Sequence, residues 1–324
     1  MKKVALLWLL LPCFALAHPG IAIVKDSKGA IYYSDLQQVW KISGGKKTIV
    51  VPRVHTHELY IDSADNLYGE HVSTISDTQF QHYLWVLRPG GQLDTVVDPQ
   101  MAYEQLDYSL SRDKWGNEYY IKQFIKRPDT AHIYKKTPDG REMIFAKGNF
   151  KGISWLHPQP DGSLLFVQRN TVYRANPDGT VKTVAQNIGS TQPTFALTGN
   201  NIIVYGVWQD AAQNVYVAAF SDQAVKKIAP DGTVSTYYTS APNWAPTQGV
   251  FDNDGKLWVL ESSDKNEMRV VQAHVAPAEK TDQSMLPLFL TFISALLLVV
   301  LGALFLAWKQ KRAASNSLYM EQSL

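Results

Sequence analysis

The sequence predicts an all-β fold, a six-bladed β-propeller, followed by one C-terminal transmembrane helix. Three observations predict it. First, an Asp followed six residues later by an aromatic recurs along the chain: Asp26/Tyr32, Asp62/Tyr68, Asp113/Tyr119, Asp210/Tyr216 and Asp252/Trp258, with a degenerate copy and a shorter turn at 155–168. Second, each copy is followed by two more strand-length runs, often joined through Pro-Asp-Gly, as at Pro138, Pro177 and Pro230. Third, the unit of four strands returns every ~40 to 50 residues, which is how propeller blades repeat. A sandwich would not explain the equal spacing.

The elements follow in order. Residues 1–17 read as a secretory signal peptide: Lys2 and Lys3, an apolar run, then Ala15-Leu16-Ala17. Cys13, the single cysteine, leaves with it; Pro12 sits where a lipobox wants a small residue. The mature chain then has no disulfide, and its core must be large enough to hold the fold without one.

Residues 18–274 form the propeller. In each blade a short apolar run precedes the Asp, and an aromatic, β-branched run follows the turn. The Asp side chain bonds backbone two residues on, and Gly or Asn accepts the left-handed conformation the turn needs. Third strands such as QVWKIS and fourth strands such as VKTVAQ complete the unit. Only three strands are legible in the sixth blade.

Residues 275–285 are a polar stalk. Residues 286–308 carry no charge and suffice to cross a bilayer as a helix. Trp308 stands as an interfacial anchor, and Lys309, Lys311 and Arg312 place the tail, 309–324, in the cytoplasm. The expectation is a single-pass membrane protein, bacterial, with its N-terminal domain periplasmic or extracellular. A formal net charge of +2 gives no reason to expect a nucleic-acid partner.

The unit D-x-x-G-x-hydrophobic-aromatic followed by V-x-K-I-x-P-D-G resembles NHL repeats, and more loosely the blades of SMP-30/gluconolactonase-type proteins. The resemblance covers nearly all of residues 18–274 and implies a six-bladed propeller. Proteins of similar blade pattern include lactonases, lyases and receptors without chemistry, so fold alone does not assign function.

Sites on propellers gather where first strands begin and second strands end. Applied here, that rule yields a mouth of Asp35, His57, Tyr108, Lys122, Trp155, Gln168 and Glu261, with Arg169 adjoining. Of the six second-strand ends, Asp35, His71, Lys122, Gln168 and Glu261 are polar and Ala219 is not, which fits a wet ligand pocket as well as an ordinary solvated rim.

The stretch HTHELYIDSADNLYGEH (55–71) adds a metal question. Read as strands about Asp62, it brings His57 opposite His71 with His55 on the same face, and turns Glu58 and Glu70 to the other face. A zinc or similar site would need about three such ligands, and zinc, calcium or copper are the divalent metals considered. His18, the first residue after cleavage, would be an N-terminal copper ligand. His82, His132, His157 and His274 occur singly and read as surface or pairing residues. HExxH, GxSxG, P-loop and CxxC patterns are missing from the chain.

Two functions follow. One is a tethered propeller binding an envelope protein, glycan or small molecule at the channel mouth. The other is a metal-dependent hydrolase, lactonase or lyase.

Overall fold

The computed structural model describes residues 20–76, 79–102, 110–124, 127–191 and 203–273. Their strands form six antiparallel sheets in chain order. Blade 1 is β1 (Ile23–Lys25), β2 (Ile31–Ser34), β3 (Gln38–Ser43) and β4 (Lys46–Pro52); blade 2 is β5 (Leu59–Ile61), β6 (Leu67–Ser76), β7 (Gln79–Leu87) and β8 (Leu93–Ala102). Blade 3 has β9 (Glu118–Phe124), β10 (Arg127–Lys136) and β11 (Glu142–Ala146). Its inner place is taken by residues 110–112, where Arg112 bridges to Glu118 and the Tyr119 amide donates to the Ser111 carbonyl at 2.9 Å.

Blade 4 is β12 (Ile153–Pro158), β13 (Leu164–Gln168), β14 (Thr171–Ala175) and β15 (Val181–Gln186). Blade 5 is β16 (Val207–Gln209), β17 (Val215–Ala219), β18 (Ala224–Ile228) and β19 (Val234–Thr239). Blade 6 has β20 (Trp244–Phe251), β21 (Leu257–Ser263) and β22 (Met268–Gln272), three strands among the described residues. The six-bladed architecture expected from the repeat is the one found.

The Asp-to-aromatic spacing has a simple cause. In blade 1, Asp26 Oδ1 accepts from the Lys28 and Ala30 amides, while Oδ2 accepts the Tyr32 hydroxyl at 3.1 Å. Tyr68, Tyr119 and Tyr216 donate in the same way to Asp62, Asp113 and Asp210, and the Trp258 indole donates to Asp252 at 2.9 Å. One carboxylate thus closes the first turn and fastens it to the second strand.

Blade 4 corrects the expectation of a shorter turn. The Gln159 amide donates to the Ser163 carbonyl just as the Asp26 amide donates to that of Ala30. The turn length is kept, Gln159 occupies the Asp place, and the fully buried Leu165 stands where the aromatic would be.

The core lies between blades. Leu165 and Val167 of β13 pack with Val207 of β16 and Val217 of β17, all fully buried. Both faces of such strands meet a neighbouring sheet, so they read as unbroken apolar runs (LLFVQ, VYVAA). Each such side chain contributes about 1.5–3 kcal/mol of burial. A Cβ on Gly69 would lie 2.1 Å from Trp85 Cζ2, so this indole packs flat only because its neighbour lacks a side chain.

Polar bonds join the blades. Ser27 binds Asp65, the Leu110 amide donates to Glu58, Ser111 to the Leu156 carbonyl and Gln223 to that of Trp244. The ring closes between blades 6 and 1, where Lys25 donates to Asn253 at 3.1 Å and Asn253 to the Ser27 carbonyl.

The signal segment 1–17, the stalk, residues 286–308 and the tail lie outside the described residues. Among the described residues no helix is long and apolar enough to cross a membrane.

Candidate functional site

The stretch 55–71 does not fold as two strands with histidines facing. β5 begins only at Leu59, because the residues before it take other partners. The His55 amide donates to His71 Nδ1 at 3.1 Å, and the Thr56 hydroxyl donates to the Glu70 carbonyl. His55 Nδ1 bonds the Leu36 carbonyl at 2.8 Å, and the His71 ring stacks on Tyr83. His57 meets His55 edge to face and lies 3.7 Å, Nδ1 to Oε1, from Glu70.

Glu70 therefore does not turn away from the cluster, as strand alternation implied. It sits inside it, with His57 on one oxygen and His82 Nε2 at 3.2 Å from the other. Of the two expectations for His82, surface or pairing, it is the pairing one that holds: it is fully buried on β7 against Glu70. Burial pushes the Glu70 carboxyl up, but the hydrogen bonds and charges of His57 and His82 outweigh it and bring it down to about 2. Burial and the neighbouring imidazoles lower His55 and His71.

Among the described residues no group of three or more His, Cys, Asp or Glu is placed to hold a metal ion. His55, His57 and His71, expected as a set, are thus not gathered about one point: His71 Nδ1 accepts the His55 amide, and His55 Nδ1 bonds the Leu36 carbonyl. His18 lies outside the described residues, as does Tyr108.

The remaining mouth residues are mostly committed to the frame. Asp35 accepts the Gln37 and Gln38 amides and the Trp40 indole, capping the turn into β3. Gln168 donates to the carbonyls of Asn149 and Lys151. Glu261 is fully buried and accepts from Tyr238 and from Arg269 at 2.8 and 2.7 Å; the Arg269 guanidinium lies over Trp244. Lys122 pairs with Glu142 on the exposed side of blade 3. Arg169 is exposed, in a left-handed turn with φ 57°. The polar residues are real, but most of them hold turns and strands.

A cavity of about 830 Å³ lies in the channel at the opposite end, where first strands run into the Asp turns. Its wall includes Ile23, Leu59, Trp155, Trp208, Val250 and Phe251, with Lys25 and Arg112 toward the turns. Trp155, expected at the other mouth, lines this cavity and a smaller one beside Glu58 and Tyr119. His157, read as a surface or pairing residue, also lines it, and burial pushes its pKa down to about 4. Asp210 and Asp252 line the cavity too, yet both carboxylates are taken up by their own turns. The site is an apolar, aromatic cleft whose two cations are already partnered, Lys25 by Asn253 and Arg112 by Glu118, and it is suited to holding a small molecule. In sequence these residues look like ordinary core strands; nothing in their pattern marks a cavity.

No protein-family model matches the chain, and no curated protein matches its sequence. Solved structures match its fold. A gluconolactonase from Xanthomonas campestris aligns over 80% of this chain and 88% of its own, with TM-score 0.52 and 11% identity. A glucose dehydrogenase covers 81% and 97%, with TM-score 0.53 and 10% identity. An auxiliary nutrient binding protein from Bacteroides ovatus covers 79% and 70%, with TM-score 0.52 and 12% identity. Likeness at this level concerns architecture and not chemistry: the chain is a six-bladed β-propeller of the shape shared by enzymes and binding proteins.

Proposed function

We propose that the protein is a binding module, tethered to a membrane outside the cytoplasm, that takes a small, largely apolar molecule in its channel. The observation that carries this reading is the cavity of about 830 Å³ walled by Trp155, Trp208 and Phe251. Its size lies in the range of small-molecule sites, and aromatic walls give such sites most of their binding energy. This reading puts the binding place at the Asp-turn end and not at the mouth near His57. The carboxylates that a hydrolase would use as acid or base are engaged in turns or ion pairs, so the binding reading is favoured over the enzymatic one.

The test is a thermal-shift screen of small apolar and aromatic compounds on the full chain in detergent. Hits should raise the Tm of the wild type and of His71→Ala alike. Ala211→Trp, an exposed turn position on the cavity wall, should abolish the shift. Hits that survive Ala211→Trp and vanish in His71→Ala contradict the reading.

A further inference from the structure

We propose that the molecule taken into the channel carries an uncharged acceptor oxygen, a carbonyl on an apolar frame, and that Gln248 and His157 select it. This rests on the binding reading above; it names the ligand class and the residues that determine it.

The hydrogen bonds of the cavity wall carry the first step. Its carboxylate and amide oxygens are all in use. Asp210 and Asp252 accept from their own turns, Asn253 from Lys25, Gln209 from Arg174 and Gln248 from the Gly249 amide. The donors are not all in use. Arg112 Nε and the indole N–H groups of Trp155 and Trp208 are buried on this wall and find no acceptor among the described residues. A buried donor left unmet is costly, and native structures keep few of them. Their gathering round one cavity points to an acceptor that the chain itself does not supply.

Gln248 carries the second. It lies on β20, the first strand of blade 6, and is 4% exposed. Its Oε1 accepts the Gly249 amide at 3.1 Å, and a Cβ on Gly206 would stand 2.5 Å from that oxygen. The carbonyl end of the amide is thereby fixed against the backbone. The Nε2 end, which can donate twice, bonds none of the described residues and lines the cavity. Trp208 is set by the same means, with its ring seated on Gly249. Both side chains are held in place before a ligand arrives, which lowers the cost of binding.

His157 carries the third. It lies on β12, the first strand of blade 4, and its ring bonds none of the described residues. Burial holds it neutral at pH 7, with a pKa of about 4. A neutral imidazole offers one N–H and one lone pair. The two cations of the wall are committed, Lys25 to Asn253 and Arg112 to Glu118. A carboxylate in this apolar cleft would lose its water without gaining a free cation. A carbonyl oxygen loses much less and meets the waiting donors.

Three planar probes of one shape test this: naphthyl methyl ketone, its alkene isostere isopropenylnaphthalene, and naphthoate. Their dissociation constants are measured by titration calorimetry of the full chain in detergent, for wild type, Gln248→Met and His157→Leu. Comparing probe ratios between proteins cancels partition into micelles. The ketone-to-alkene preference of the wild type should exceed that of either variant by about tenfold. A preference equal in wild type and both folded variants overturns the proposal and leaves the binding reading standing. Naphthoate bound more tightly than the ketone overturns the uncharged ligand. No binding of any probe to the wild type overturns the binding reading itself. A further readout needs no variant: the carbonyl stretch of the ketone bound to wild type should fall below its value in hexane. A hexane-like frequency overturns the hydrogen bond.

Discussion

The Tyr216 hydroxyl donates to Asp210 Oδ2 at 3.0 Å, across a turn that the same carboxylate closes through the Asn214 amide and side chain. The bond ties the first strand of blade 5 to the second. It makes the repeat a physical unit, since each Asp serves its turn and its strand pair at once. Removing the hydroxyl with Tyr216→Phe should cost about 1 kcal/mol, the usual net value of one hydrogen bond. Asp210→Ala strips several donors of their acceptor and should cost more, about 2–3 kcal/mol. Denaturant unfolding of both variants and of the double mutant measures the coupling. Strictly additive losses would contradict a direct bond.

Glu70 gives a pH dependence. Its folded-state carboxyl is depressed from 4.5 to about 2 by His57 and His82 against the opposing effect of burial. The stabilisation is fully present above about pH 4.5 and is lost as pH falls toward 2. Wild type should lose on the order of 3 kcal/mol more than Glu70→Gln across that window. The comparison is read from urea unfolding at stepped pH. Parallel stability curves for the two proteins would show that the carboxylate is not held this way.

Arg269 and Glu261 form an unequal pair, since the carboxylate is fully buried and the guanidinium a third exposed. Arg269→Met leaves that buried carboxylate without its cation, held by the Tyr238 hydroxyl, and should cost about 3–5 kcal/mol. Arg269→Met combined with Glu261→Gln should recover much of the loss, because no uncompensated charge remains. A double variant as unstable as the single one would mean that the pair acts through packing on Trp244 and not through charge.

How much was legible follows from how local each feature is. The blades could be read because the Asp, its turn and its aromatic lie within seven residues, and one hydrogen bond links them. The blade 4 turn looks shorter in sequence for the same reason: without the Asp and the aromatic, only the backbone bond from Gln159 to Ser163 shows that its length is unchanged. The setting of Glu70 was hidden. It depends on β7 bringing His82 alongside β6, and on a chain before β5 that is irregular, so two-residue alternation failed there. The cavity was hidden because both channel ends carry polar residues. Which of those residues are committed to turns is a matter of three-dimensional partners, as Asp35 and Glu261 illustrate.

The central claim is that the ligand sits at the Asp-turn end of the channel. Hydrogen-exchange mass spectrometry of the full chain, with and without a saturating hit from the thermal screen, tests it most directly. Binding should slow exchange in the strand ends and turns at residues 208–213 and 249–255, and leave residues 55–58 and 71–73 unchanged. Protection confined to 55–58 and 71–73 would return the site to the histidine mouth and contradict the account.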